Sequence, residues 1–376
     1  MNFADLLTYA DIDHLKRMAF HYGCGGDDHS KNGLITSLLY HLGGSSRLKG
    51  EMECLDSAEF RFLQQLFFDS RSVFSREELL GKGRVSLTCD DEESPRDLVI
   101  LGLRKGWLFP GVSGKNKTFF EIPDDLRRRF LKLFAEKYGG GSEEPVPAAY
   151  RNEEGLLAED LGLFLRFLAR QDVSLTMDGA IYRQQQKQIL KCFHVSEEPV
   201  SGKGWRFGFG RRYHQYPDRF SLLYDYAFYQ GYIVEDQMEG SLRLSEAGAG
   251  KVGEQKREKE GEIYRFWLRL YRRPIPHLTI IVKWIDLLCH QRWQRAETVE
   301  KVVRHWIQPF YYESGADLFR RILRMLMHLG FLCIGETESR DVLIRMNPSG
   351  HARIAGISGF TEDNLSSEYT DVYGVQ

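Results

Sequence analysis

No apolar run in the 376-residue chain approaches the roughly 18 residues that a helical membrane span requires. The six cysteines (Cys24, Cys54, Cys89, Cys192, Cys289 and Cys333) stand singly, none spaced as CxxC, which argues against zinc ribbons and thioredoxin-like redox chemistry. Free cysteines in a chain of this length fit a reducing cytosol. The N-terminal stretch MNFADLLTYADIDHLK carries acids and lacks the long apolar core of a signal peptide. The eleven histidines form no HExxH, and neither a Walker loop nor GxSxG occurs, so no catalytic residue, cofactor or metal ligand set is expected. A large excess of positive charge is missing as well. The formal net charge is −2, so any nucleic-acid contact must come from a local basic face.

What the chain does contain is repetition. At 42% hydrophobic and 28% charged it has the composition of a soluble globular protein, with length for two to four domains. The stretch 317–344, DLFRRILRMLMHLGFLCIGETESRDVLI, reads as a helix, a glycine stop, a strand, a polar turn and a returning strand. Leu318, Ile322, Leu326 and Leu329 share one helical face, and Arg320, Arg321 and Arg324 lie mostly off it. Gly330 sits where a helix end needs a left-handed residue. Taken once, this is a helix docked on a hairpin or the second half of a winged helix. The phrase recurs, however. RDLVILGLRKGWLF (96–109) and FSLLYDYAFYQGYIV (220–234) repeat helix, glycine, aromatic, aliphatic around Gly106 and Gly231. The expected fold class is therefore mainly α with small β-wings, α+β, as tandem winged-helix domains.

The chain divides accordingly. Residues 1–50 read as a small helical unit, with Asp11 or Asp13 and then Ser30 as helix caps. Residues 55–138 hold the first winged helix, with a capping box at Ser75 and Glu78, Pro95 opening its third helix, and a wing tip at Lys115–Lys117. Glycine, proline and glutamate in 139–155 read as a linker with nothing to bury. Residues 156–252 are the second winged helix, in which Asp178-Gly179 signals a tight hairpin. Residues 254–356 are the third, and 357–376 a polar, acidic tail. Between helices of the second repeat lies a basic, aromatic loop. Lys203, Arg206, Arg211 and Arg212 alternate there with Trp205, Phe207, Phe209 and Tyr213, a mixture suited to phosphates and to stacking on bases. The alternative is a loop whose aromatics pack on the body.

Two stretches carry resemblances. Leu15-Lys16 and SKNGLI (30–35) resemble the SAP motif and the Rho N-terminal helical module, helix-extended-helix units that commonly bind nucleic acid. LTMDGAIYRQQQKQI (175–189), followed by the helix, wing and LSEAG of 220–248, resembles helicase-associated domains, the family that includes the N-terminal module of XPB-type helicases. With no motor motif present, that resemblance implies a DNA-handling accessory. The expectation is a non-catalytic, cytoplasmic, nucleoid-associated protein, not membrane-bound, that binds double-stranded or forked DNA through Lys203, Arg206, Arg211, Arg212, Arg320, Arg321 and Arg324. A helicase, nuclease or other protein subunit is the expected protein partner. The alternative is a protein adaptor built of the same domains.

Overall fold

The first glycine-stopped phrase shows why local order appears where it does. Ser94 caps the helix Pro95–Arg104 with its side chain on the Asp97 amide, Pro95 occupies the first turn, and Gly106 ends the element at φ +67°. A computed structural model of the chain describes residues 1–24, 30–111, 119–141, 144–201, 206–236, 238–254 and 258–356. It is α+β, with helices and small antiparallel sheets, in two compact units, Met1–Gly140 and Gly141–Ile354. Among the described residues no helix is long and apolar enough to cross a membrane.

The first unit begins with α1 (Phe3–Tyr9), α2 (Ile12–His21), α3 (Lys31–Gly43) and α4 (Ser45–Glu53). Asp11 and Ser30 are the caps of α2 and α3. There follow α5 (Ser57–Phe67), β1 (Val73–Ser75), α6 (Arg76–Ser86), α7 (Pro95–Arg104), β2 (Phe109–Pro110), β3 (Phe119–Glu121) and α8 (Asp124–Tyr138). The expected capping box is present, Ser75 accepting from the Glu78 amide and Glu78 from Ser75. The sheet runs β1-β3-β2, so the last strand lies between the other two. The expected wing tip, Lys115–Lys117, lies outside the described residues. Helix α2 packs across the end of α7, with His14 Nε2 2.9 Å from the Leu103 carbonyl oxygen. A Cβ on Gly106 would stand 2.6 Å from Met18 Cε, so this glycine serves both the left-handed turn and the close approach of α2.

The second unit starts with β4 (Ala149–Arg151), then α9 (Leu156–Arg170), β5 (Val173–Ser174), α10 (Arg183–Lys191), α11 (Asp218–Tyr229), β6 (Ile233–Asp236), β7 (Ser241–Leu244) and α12 (Glu246–Gly253). The expected hairpin is there, closed by the Leu175–Ile181 bridge, with Gly179 at φ +73°. The chain continues through α13 (Glu260–Tyr271), α14 (Leu278–Cys289), β8 (Gln294–Arg295), α15 (Ala296–Val303), a 3-10 turn (Arg304–Trp306), α16 (Gly315–His328), β9 (Leu332–Glu336), β10 (Val342–Met346) and α17 (Pro348–Ala355). One sheet is ordered β5-β7-β6 and the other β4-β9-β10-β8.

The segment 139–155 is not a free linker along its whole length. Ala149, Tyr150 and Arg151 pair with Glu336, Gly335 and Ile334, making β4 the edge strand of the last sheet. Glu153 is buried at 1% exposure. Composition suggested that nothing here could be buried, but the backbone of Ala149–Arg151 joins a ladder and one glutamate finds cationic partners. The second and third sequence repeats likewise share one compact unit rather than two.

Candidate nucleic-acid interface

Helix α16 forms where the sequence placed it because local and tertiary signals agree. Ser314 and Asp317 make a capping box. Leu318, Ile322, Leu326 and Leu329 are all buried, and Gly330 closes the helix at φ +76°. The residues left exposed are Ala316, Arg320 and Arg324, four apart, a single narrow stripe. Arg320 leans back to Asp317, one turn earlier. Arg324 has no ion-pair or hydrogen-bond partner among the described residues.

The other expected contact residues are placed differently. Arg321 turns inward, its Nη1 3.0 Å from Asp218 Oδ2 and its guanidinium 5.2 Å from the centre of the Phe207 ring. Arg206 donates to the carbonyls of Tyr213 and Tyr216 at 3.0 and 2.9 Å and pairs with Asp218 at 2.5 Å. Arg211 and Arg212 both reach Glu235 Oε2 at 3.0 Å, and Arg211 covers the Phe228 ring at 3.8 Å. Phe207, Phe209 and Tyr213 are buried; Phe209 meets Tyr271 and Phe310 edge-on, and Phe207 meets Phe310 edge-on and Tyr271 at a tilt. Among the described residues, the loop is thus a packed strap whose arginines, Arg206, Arg211 and Arg212, are matched to acids of the same unit. Lys203 and Trp205 lie outside the described residues.

The three helices that precede the repeated glycines differ in what they show to solvent. In α11 nine of twelve residues are buried, which removes it from contact with a groove. Helix α7 exposes Arg96 and Arg104 at its two ends. Arg96 stands as far before Gly106 as Arg320 does before Gly330, so the two arginines occupy equivalent places in their repeats. Aligning the glycines would have found Arg96 in the sequence; reading the third repeat by itself did not.

Sequence reasoning also missed a buried ionic cluster. Arg219, fully buried, lies 2.6 Å from Asp160 Oδ2 and 3.3 Å from Glu153 Oε2. His328 Nδ1 is 2.9 Å from Glu153 Oε2, and His194 Nδ1 is 2.8 Å from Asp160 Oδ1. Glu197 accepts the amides of Arg219 and Phe220 in the first turn of α11. Burial pushes the Glu197 carboxyl above its ordinary value, against the charges of His328 and Arg219. These groups come from five separate segments, so no spacing in the sequence announces them. Close pairing is what makes so many charges tolerable away from water. Compared with family models, curated proteins and solved structures, the chain matches none of them.

Proposed function

We propose that the protein is a non-catalytic, tandem winged-helix DNA-binding protein, accessory to repair, recombination or transcription, and that Arg320 and Arg324 of α16, together with Arg96 and Arg104 of α7, meet the phosphates. The observation that carries this reading is the order helix, strand, helix, helix, strand, strand. It occurs as α5-β1-α6-α7-β2-β3, as α9-β5-α10-α11-β6-β7 and as α14-β8-α15-α16-β9-β10. In the first two the opening strand pairs with the last, and β8 pairs with β10 in the third, as a winged helix requires. Double-stranded or forked DNA is the ligand, a helicase or nuclease subunit the fitting protein partner, and the cytoplasmic nucleoid the fitting location. A gel-shift titration against duplex, forked and single-stranded DNA tests this. Duplex or forked binding that weakens steeply with salt supports it, and no binding at low salt refutes it.

A second reading, a protein adaptor, draws on the burial of α11 and the internal neutralisation of Arg206, Arg211, Arg212 and Arg321. It predicts a stable complex with another subunit and no salt-dependent DNA retention.

A further inference from the structure

The second unit holds a cluster of metal-ligating side chains apart from the proposed DNA surface. Asp286 and His290 lie four residues apart at the end of α14, on one helical face. His351 of α17 comes to meet them. Its Nδ1 is 2.9 Å from Asp286 Oδ1 and 3.0 Å from Oδ2. The rings of His290 and His351 stack with centroids 3.6 Å apart and planes at 24°. One ligand atom from each of the three residues falls within 4.8 Å of the other two. Asp286 is buried, whereas both imidazoles are half-exposed.

We propose that Asp286, His290 and His351 bind one divalent transition-metal ion of the zinc class. A carboxylate oxygen and two imidazole nitrogens are the donors such ions favour, and three protein ligands leave a coordination position for water. The buried carboxylate supplies charge that an ion would balance, and His290 Nδ1 is a buried nitrogen without a hydrogen-bond partner. Lys283, the nearest competing cation on α14, donates to the Ile354 carbonyl at 2.6 Å, so its ammonium is engaged at the far end of α17. The ion would clamp α17, the helix that follows the last wing, onto α14. Nothing in the sequence suggested this, because His351 is 61 residues from His290 and forms no recognisable spacing with it.

The test uses the full-length chain, stripped with a chelator and titrated with Zn2+ by calorimetry and with Co2+ by visible absorption. Expected are one ion per chain, a Co2+ spectrum of low coordination number, and a rise in melting temperature with Zn2+. Expected too is a loss of affinity of at least about 100-fold in His290→Ala/His351→Ala, since removal of even a supporting partner typically costs 10–100-fold. His41→Ala, which alters a histidine beside Glu51 in the other unit, should bind as the wild type does. Should the double variant fail the circular-dichroism check, His351→Gln keeps a hydrogen bond to Asp286 and must still lose binding. Absence of Zn2+ and Co2+ binding by the wild type overturns the proposal, as does undiminished binding in the folded His290 and His351 variants.

Discussion

His328, the last residue of α16, donates from Nδ1 to Glu153 Oε2 at 2.9 Å across a separation of 175 residues. The same carboxylate meets Arg219 Nε at 3.3 Å and Arg151 Nη2 at 2.6 Å. A glutamate from the stretch that looked empty therefore anchors the helix proposed to face DNA. Glu153→Gln leaves His328 and Arg219 short of their counter-charge and should destabilise the protein by about 3 kcal/mol, read by urea unfolding.

Acid should act through the same group. Burial opposes ionisation of Glu153, but the hydrogen bond and charge of His328, with Arg219 and Arg151, overcome it and hold the carboxyl below its ordinary value. A depressed carboxyl contributes stability that is present above the unfolded-state value and lost as pH falls through the folded-state one. Wild type should lose more stability than Glu153→Gln as pH drops below the ordinary carboxylate range. Parallel losses in the two proteins would mean that Glu153 is not the group responsible.

Limited proteolysis should cut the chain between its two compact units but spare 149–155. Backbone held in a ladder with β9 must open before a protease can accommodate it. Rapid cleavage after Tyr150 or Arg151 would contradict the pairing of β4.

The loop arginines and the α16 arginines should separate experimentally. Arg212→Ala leaves Glu235, whose side chain is only 3% exposed, with Arg211 and the hydroxyl of Tyr224 as partners, and should cost about 2 kcal/mol of stability. Arg320→Ala/Arg324→Ala should change stability by no more than about 0.5 kcal/mol, since both side chains lie on the surface. It should instead lower the slope of log affinity against log salt by roughly 2 if both meet phosphates. An unchanged slope in the folded double variant would move α16 from DNA contact to protein contact.

Asp225 makes a prediction of opposite sign to Glu153. Burial, against the amide and charge of Arg211, pushes its carboxyl up to about 8. The folded chain then keeps a proton that the unfolded chain releases near the ordinary value of 3.8. Stability should therefore fall as pH rises between those two values. Asp225→Asn removes this dependence, so its melting temperature should decline less than that of wild type from mildly acidic to mildly alkaline pH.

The local code of the fold was legible in the residues. Gly106, Gly231 and Gly330 all carry the left-handed turn that their position after a helix demanded, at φ +67°, +67° and +76°. Ser30 and Ser75 cap the helices they were expected to cap. The candidate site was legible only in part. Helical periodicity separated Arg320 and Arg324 from the apolar face, but placed Arg321 with them. The acid that draws Arg321 inward, Asp218, is 103 residues away in the chain. The loop arginines misled for the same reason: charge pattern reveals where cations are, and only tertiary packing reveals which acids already hold them. Strand β4 escaped notice because three residues beside prolines and glycines carry no periodicity.

Its consequence reaches into the order of assembly. During synthesis β4 leaves the ribosome before the rest of the second unit, yet its ladder partner β9 emerges almost at the end. Asn152 and Asn347, which join the same region through a 3.0 Å hydrogen bond, are 195 residues apart. The opening strand must wait unpaired while the whole β5-β7-β6 sheet and the helices α9 to α16 are made, and such long-range pairing is slow to form. The second unit thus has its two ends sewn together last, and a nascent chain arrested before β9 holds a strand edge with nothing to receive it.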